Sequence, residues 1–332
     1  MSTPSNLITD VAGVRVGHAD DRQLGSGVTA IVFDAPAVAA MDARGGGPGT
    51  REGSLLDPAN TVERIDAIAF AGGSAFGLDA ASGVQAWLHE QGRGFAVRSA
   101  RVPIVPGAIL FDLLAGGDKD WGRYPPYREL GYAAAAVAGR DVALGSVGAG
   151  LGATTVNLKG GLGSASAVTR DGHTVGALAV VNAAGSAVIG AGPWFWAAPF
   201  EQGDEFGGRG LPPQVPAEAL AFRTKGGATT STTLAVVVTD ATLSKTQAKR
   251  LAVMAQTGLA RAIYPVHTPL DGDVVFSAAT CAKPLADPLH GLSELGMVAA
   301  NTLARAIARG VHAATALPFP DALPSWRDRF RA

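Results

Sequence analysis

The sequence predicts a layered α/β fold with a large buried interior. β-Branched apolar segments alternate with amphipathic segments of helical period, as in folds that stack helices on a sheet. Apolar residues make up 47% of the 332 residues and charged residues only 17%, whereas a typical globular chain is about 25% charged. So low a charged fraction indicates either that the layered fold buries most of its residues or that copies of the chain cover one another's surfaces.

The first third of the chain predicts strands around glycine-rich loops. Residues 14–36 are typical of two strands joined by a polar loop, and residues 42–53 of an irregular loop. Residues 65–92 predict a strand, a Gly-Gly turn and a helix with Ser74 as its N-cap. The apolar stripe of that helix would be Leu78, Ala81, Val84 and Leu88.

The middle of the chain predicts two buried strands and a linker. Residues 141–150 and 175–189 are apolar and β-branched enough for strands inside a layered fold. Residues 146–166 are dense in small residues. The polar, Pro/Gly-rich residues from about 200 to 227 are typical of a linker. We interpret residues 1–332 as a single domain that continues beyond this linker.

The last third predicts a strand, two helices and an intervening loop. Residues 229–240 are strongly β-branched and favour a buried strand. Residues 244–262 and 295–314 have the pattern of helices, and residues 267–280 were expected to form a loop. The aromatic run around Trp194 and Trp196 favours packing or a subunit interface.

Charge and cysteine content exclude several classes of protein. With 27 basic and 28 acidic residues the net charge is −1, so nothing predicts binding to nucleic acid or to a membrane surface. Cys281 is the single cysteine and the histidines form no H-x-x-x-H pair, so no metal site is expected. Residues 148–153 fit the loose dinucleotide pattern G-x-G-x-x-A, but a poor helix follows them. We therefore expect no cofactor.

The same features predict a cytoplasmic location. The opening residues MSTPSNLITDVAG lack the basic and apolar regions of a signal peptide, and no uninterrupted apolar run reaches 18 residues. A lone cysteine also fits a reducing compartment.

Thr232 lies in a run of hydroxyl residues between the linker and a buried strand. Threonine is common at strand edges because it fits a pleated surface. Alternatively, the junction is one where a hydroxyl attacks the preceding carbonyl and opens the chain. The new terminal threonine would then carry an α-amine with a pKa of about 7.7–8.0, suited to act as a general base.

Six segments, in order along nearly the whole chain, resemble the DmpA-type aminopeptidases. They are NLITDVAGVRVGHA, AAMDARGGGPGTRE, GGSAFGLDAASGV, VGAGLGATTVNLKGGLGSAS, STTLAVVVTDA and HTPLDGD. The family includes β-aminopeptidases, D-amino-acid amidases and nylon-oligomer hydrolases. The resemblance implies an αββα sandwich of two sheets between helical layers. It also implies self-cleavage into a large and a small chain, residues 1–231 and 232–332, and a homotetramer of the cleaved pairs.

The resemblance also assigns catalytic residues. Thr232 would be the nucleophile, Lys159 of LKGGLG the active-site lysine, and Asn182 of AVVNAAG the active-site asparagine. Asp271 and Asp273 of HTPLDGD match the aspartate pair of the nylon-hydrolase branch. Asp273, held by Asp271, would orient the Thr232 amine and hydroxyl, and two adjacent carboxylates raise one pKa.

Lys159 in an apolar setting would have a lowered pKa and could hydrogen-bond the Thr232 hydroxyl or help to stabilise developing negative charge. Asn182 would donate its amide N–H to an oxyanion. The backbone N–H groups of residues 72–74 could do the same or belong to an ordinary helix start. Two residues depart from the family pattern. Ser231 precedes the cleavage site where an asparagine is usual, and Phe111 replaces a tyrosine whose hydroxyl contacts the active site.

The resulting hypothesis is an autoprocessed N-terminal-threonine amide hydrolase that works through an acyl-enzyme. Its substrates would be short amides with a free amino end: β- or D-amino-acid peptides, amides or esters, or 6-aminohexanoate oligomers. Two alternatives remain open. One is an acyltransferase of the ornithine-acetyltransferase type, and the other is an uncleaved, non-catalytic binding protein, which Ser231 and Phe111 favour.

Overall fold

The computed structural model describes residues 4–223, 225 and 231–330. Their strands are β1 Val14–Asp21, β2 Ser26–Ala43, β3 Thr50–Arg51, β4 Arg64–Ala71, β5 Phe95–Val97, β6 Ala100–Val102, β7 Gly107–Ile109, β8 Gly161–Val168, β9 Thr174–Asn182, β10 Thr232–Ala241 and β11 Val274–Lys283. Their α-helices are α1 Ala80–Glu90, α2 Tyr127–Ala136, α3 Lys245–Ala255, α4 Thr257–Ala262, α5 His290–Ala313 and α6 Trp326–Phe330.

Strand β2 connects the two halves of the main sheet. The strand order is β3-β7-β4-β2-β11-β10-β9-β8, and β1 pairs with β2 as a ninth strand. The first part of β2 pairs with β1, where Phe33 lies opposite Val14. Its last part pairs with β11, where Ala43 lies opposite Val274. Residues 34–36 between these two parts are exposed, so the strand changes neighbours where it leaves the core.

Alternation along β2 separates two layers of the core. Val28, Ala30 and Val32 pack with buried residues of α1 and α2. Ile31 and Phe33, which point to the opposite face, pack with residues of β9, β10 and β11. Helices therefore cover one face of the first half of the sheet. Its other face packs against the second half of the sheet.

Strand β10 shows the same alternation in the second half of the sheet. Ala235 and Val237 pack with buried residues of α3, α4 and α5. Leu234, Val236 and Val238 pack against the first half of the sheet. The layered α/β fold predicted from the sequence is therefore confirmed, with helices outside both halves. The two sheets that the resemblance implies are hydrogen-bonded to each other through β2.

The strand predicted at residues 141–150 is wrong. These residues are irregular and end in the 3-10 helix Gly148–Gly150. The strand of this region is β8, within the segment noted only for its small residues. A Cβ on Gly163 would lie 1.9 Å from the carbonyl oxygen of Ala306 in α5. The small residues are needed because α5 packs directly on the β8 backbone.

Two further local predictions need correction. Ser74 is not an N-cap: Gly73, with φ 80°, holds that position, and Ser74 begins a 3-10 helix that runs into α1. Residues 274–280, expected to be loop, belong to β11, which pairs parallel to β10. The single helix expected over residues 244–262 is observed as two helices, α3 and α4, and α3 begins with a Ser244–Gln247 capping box.

The predicted linker and the aromatic run lie against the same side of the fold. Described residues of the linker contain turns and the short 3-10 helix Ala217–Leu220. Phe195 is buried and packs against Phe206 and Trp326. In the described part of the chain, no helix has the length and apolar character needed to span a membrane.

Candidate active site

The site is built where β9 ends and β10 begins. Thr232 is the first residue of β10 and lies directly opposite Asn182, the last residue of β9. β10 runs between β9 and β11, and all ten of its residues are buried. Thr232 therefore lies at the start of an interior strand that has a hydrogen-bonded strand on each side.

The carbonyl group of Ser231 receives two hydrogen bonds. The hydroxyl Oγ1 of Thr232 donates to its oxygen at 2.6 Å. The backbone N–H of Gly272 donates to the same oxygen at 2.7 Å. The N–H of Ser231 donates to the carbonyl oxygen of Leu270 at 2.9 Å. These contacts place a hydroxyl group and a backbone N–H donor on the carbonyl of the peptide bond between Ser231 and Thr232.

Asp271 and Asp273 are buried and accept backbone hydrogen bonds with both oxygens. Oδ1 of Asp271 accepts from the N–H of Ala184, and Oδ2 accepts from the N–H and hydroxyl of Thr268. Oδ1 of Asp273 accepts from the N–H of Thr233, and Oδ2 lies 2.8 Å from the Nδ1 of His267. The pair therefore fixes the loop around Gly272 and the start of β10.

The pKa shift in the aspartate pair agrees with the sequence prediction. The hydrogen bonds of the pair are not the predicted ones. Burial raises the pKa of Asp271, and the neighbouring Asp273 charge raises it further. Among the described residues, neither carboxylate accepts a hydrogen bond from the Thr232 hydroxyl. Asp273 instead holds the N–H of the next residue, Thr233. Asp273 thus positions the start of β10 through its backbone.

Lys159 is buried close to this site and bound to backbone. Its Nζ donates to the carbonyl oxygens of Gly150, Ala153 and Gly160 at 2.7–3.1 Å. Burial lowers the pKa of Lys159 to about 7, against an opposing effect of the Asp112 charge. The lowered pKa fits the sequence prediction. No hydrogen bond from Lys159 to Thr232 is found among the described residues, so the expected direct contact is not observed.

The amide of Asn182 is oriented by two backbone groups. Its Nδ2 donates to the carbonyl oxygen of Phe111 at 3.0 Å, and its Oδ1 accepts from the N–H of Thr154 at 3.0 Å. Reversing the amide would place a donor against a donor and an acceptor against an acceptor. One of the two Nδ2 hydrogens is thus committed to Phe111, and the second is the one that an oxyanion would use.

Sequence reasoning missed Asp112, Lys225, Gly272 and the role of His267. Asp112 is buried, and its carboxylate accepts from the Gly73 N–H and the Ser26 hydroxyl, both at 2.7 Å. Burial raises the pKa of Asp112, and the two hydrogen bonds act against that rise. His267 and Gly272 lie within the HTPLDGD segment, of which only the two aspartates were singled out, whereas no motif marks Asp112 or Lys225. The adjacency of Asp112 to Phe111 and of Gly272 to the two aspartates was the available signal.

A cavity of about 580 Å³ lies beside these residues. Its lining includes Phe111, Asp112, Thr154, Lys159, Lys225 and Leu317. It therefore borders the lysine and the backbone partners of Asn182. The cavity combines two cationic side chains, one carboxylate and apolar walls, and its volume suits a small organic molecule.

The N–H groups of residues 72–74 are already used. They donate to Gly27 O, to the Asp112 carboxylate and to Leu110 O, in that order. This turn is therefore part of the support for Asp112, and the expectation that it offers donors to a ligand is not supported. Among the described residues, no group of three or more His, Cys, Asp or Glu side chains is placed to hold a metal ion.

Sequence comparison gives matches over nearly the whole chain. The profile of peptidase family S58 matches residues 6–322. An uncharacterized aminopeptidase of Mycobacterium tuberculosis is 46% identical, over 98% of both chains. A 6-aminohexanoate-oligomer endohydrolase of a Kocuria species is 30% identical over 82% of this chain and 74% of the enzyme.

Comparison with solved structures gives the same fold. The L-aminopeptidase D-Ala-esterase/amidase of Ochrobactrum anthropi, described as a variant of the Ntn hydrolase fold, matches with a TM-score of 0.73 and 21% identity. A Burkholderia β-aminopeptidase matches with a TM-score of 0.69 and 22% identity. Both alignments cover 100% of this chain and 94% of the other chain. At these identities the likeness concerns the fold.

Proposed function

Since the chain belongs to peptidase family S58, and is therefore a hydrolase of peptide or amide bonds, we propose that Thr232 is its nucleophile. The proposal includes self-cleavage between Ser231 and Thr232, which gives chains of residues 1–231 and 232–332. The observation that carries it is the pair of hydrogen bonds on the Ser231 carbonyl, from the Thr232 hydroxyl and the Gly272 N–H.

The proposed self-cleavage has two steps. The Thr232 Oγ1 attacks the Ser231 carbonyl carbon, and the Gly272 N–H stabilises the negative charge that develops on the carbonyl oxygen. The C–N bond then breaks, the hydroxyl proton ends on the departing nitrogen, and the Ser231 acyl group is held as an ester on Oγ1. Water hydrolyses the ester. The products are a Ser231 carboxylate and a Thr232 residue with a free amine and a free hydroxyl.

The mature site uses the same atoms on a substrate amide. The free α-amine of Thr232 takes the proton from Oγ1 as the hydroxyl attacks the substrate carbonyl. That proton passes to the leaving amine, and an acyl-enzyme forms. Water, activated by the same amine, then releases the acid. The second Nδ2 hydrogen of Asn182 and the positive charge of Lys159 stabilise the oxyanion, while Asp271 and Asp273 hold the strand through its backbone.

The proposed substrates are short amides with a free amino end. They include β- or D-amino-acid peptides, amides or esters, and 6-aminohexanoate oligomers. The names of the matched proteins support this range, since they include aminopeptidases, a β-aminopeptidase and a 6-aminohexanoate-oligomer endohydrolase. The volume of the cavity, about 580 Å³, also supports a small substrate.

Intact mass measurement of three proteins tests the proposal. Wild type is expected as two chains, Thr232→Ala as one, and Thr232→Ser as two because serine keeps a hydroxyl. Hydrolysis of a β-alanyl amide and a 6-aminohexanoate oligomer is then measured for each. A wild type that hydrolyses either amide while remaining one full-length chain would show that Thr232 is not released as the nucleophile.

We also propose that the cleaved pairs assemble into a homotetramer in the cytoplasm. The hairpin of β5 and β6 supports an assembly, because Phe95, Val97 and Val102 on it are about half exposed, at 46–53%. Sedimentation at micromolar concentration tests the stoichiometry. A mass of one 33.5 kDa unit at all concentrations would refute the tetramer.

A further inference from the structure

Lys225 enters the cavity from the segment that precedes the Ser231–Thr232 junction. Its neighbours Phe222 and Arg223 are exposed, whereas Lys225 is partly buried and lines the cavity beside Lys159. Its Nζ donates to the two oxygens of Asn182, at 3.2 Å to the backbone carbonyl and 2.9 Å to Oδ1. A primary amine of the uncleaved chain is thus bound at a candidate catalytic residue.

The two oxygens of Asn182 form a receptor for a group with several N–H bonds. Phe111 and Thr154 fix the side-chain amide, so Oδ1 cannot be exchanged for Nδ2 without breaking both backbone contacts. Two acceptors converge on one nitrogen, and a primary amine or ammonium can satisfy both. A quaternary ammonium, which has the charge and no N–H, cannot.

The surroundings allow Lys225 to be displaced. Burial lowers the pKa of Lys225 to about 7, and the Lys159 charge also lowers it, whereas Asp271 and Asp112 act in the opposite direction. Near pH 7 part of Lys225 is therefore uncharged, and its hydrogen bonds to Asn182 are then weaker than those of an ammonium. Asn182 itself lies directly opposite Thr232, so any amine bound to its oxygens lies beside the nucleophile.

We propose that the oxygens of Asn182 are the subsite for the amino end of the substrate, and that Lys225 occupies this subsite before the chain is cleaved. The substrate role rests on the proposed function, whereas the binding of an amine at Asn182 does not. The ligand class is a primary alkylamine on an unbranched stem, as in the Lys225 side chain itself. Lys225 thus carries a copy of the group that the site is proposed to recognise.

Binding is tested in the uncleaved Thr232→Ala protein, with n-butylamine as the probe and the thermal unfolding midpoint as the readout. With Lys225 present, the amine is expected to cause no shift. With Lys225→Met added, the subsite is vacated and saturating n-butylamine should raise the midpoint by about 1–3 °C. Butyltrimethylammonium, at the same concentration, should have no effect on either protein. Arg223→Met, which removes an exposed cation two residues away, is the matched control and should behave as Thr232→Ala alone.

Three results would overturn the proposal. They are equal shifts of the unfolding midpoint with and without Lys225, no shift in either protein, and a response to butyltrimethylammonium equal to that to n-butylamine. Lys225→Gln replaces Lys225→Met if the latter unfolds. In cleaved enzyme, n-butylamine should compete with an aminoacyl amide with the same inhibition constant in Lys225→Met and Arg223→Met, because Lys225 has left the subsite. The intact masses report separately on the proposed function. A chain that stays uncleaved contradicts the function, whereas the butylamine shifts in Thr232→Ala still decide the subsite.

Discussion

A methyl group on the α-carbon of Gly272 would lie 2.7 Å from the Oγ1 of Thr232. It would lie equally close to the carbonyl oxygen of Gly47. Contacts this short require the hydroxyl or the loop to move. Because Gly272 also donates its N–H to the Ser231 carbonyl, any side chain at this position would disturb both groups that donate hydrogen bonds to that carbonyl oxygen.

Gly272→Ala should therefore slow self-cleavage by about 10²-fold or more, the usual effect of losing one oxyanion donor. The fraction of full-length chain over time, measured by intact mass after rapid purification, gives the rate. Gly47→Ala is the matched control. A Cβ on Gly47 meets nothing closer than the Asp271 carbonyl oxygen at 3.9 Å, so this variant should be cleaved at the wild-type rate. Equal rates for the two variants would exclude the role given to Gly272.

Asp271→Asn and Asp273→Asn should each lower the free energy of unfolding by about 1–3 kcal/mol. Each carboxylate accepts backbone N–H groups on both oxygens, from Ala184 and Thr268 or from Thr233 and His267. An asparagine must turn its NH₂ toward one of these donors. Urea unfolding in the Thr232→Ala background measures the loss apart from cleavage.

Asp112→Asn is the contrasting substitution, because an asparagine fits its contacts. Its Oδ1 can still accept the Gly73 N–H, and its Nδ2 can donate to the Ser26 hydroxyl. We expect a change in unfolding free energy of less than about 1 kcal/mol at pH 7. If Asp112→Asn destabilises the fold as much as Asp271→Asn, hydrogen-bond matching does not explain the difference between the sites.

Stability should rise with pH above 7 because of Lys159. Its pKa is about 7 in the folded chain and about 10.4 in an unfolded one. Between these values the unfolded chain binds a proton that the folded chain has released, so the free energy of unfolding increases with pH by at most about 1.4 kcal/mol per pH unit. Urea unfolding at pH 6–10 should show a smaller slope in Lys159→Met. Parallel curves would mean that the lysine keeps its ordinary pKa when folded.

An ion pair between Arg305 and Glu205 should hold the large and small chains together. The Nε and Nη2 of Arg305 lie 2.5 and 2.9 Å from the two oxygens of Glu205, and both side chains are buried. Glu205→Ala leaves an unpaired buried charge and should cost about 3–5 kcal/mol in urea unfolding. The exposed pair of Arg15 and Asp34 is the control: Asp34→Ala should cost less than about 1 kcal/mol. Similar losses of unfolding free energy in the two variants would show that burial of an ion pair does not determine how much the pair stabilises the fold.

The sequence was sufficient to predict the layered fold and the segments that form the site. The β-branched composition of residues 229–240 predicted β10, and the family motifs pointed to Thr232 and Asn182, which the fold places opposite each other. The roles of Gly272 and Lys225 were not predictable, because each depends on contacts between segments that are distant in the chain. The strand β8 was missed since its small residues reflect the packing of α5, which no local pattern records.

The strand order of the sheet also fixes when the site can form during synthesis. β10 and β11 occupy the positions between β9 and β2, although both leave the ribosome long after these neighbours. Until β11 has emerged, β9 and β2 present open edges to each other across a gap of two strands. The Ser231 carbonyl likewise lacks its Gly272 donor until some forty residues beyond the junction have been made. The topology would therefore delay the proposed cleavage until β11 has been made. The interval before β11 emerges is also when the unpaired strand edges are most exposed to aggregation.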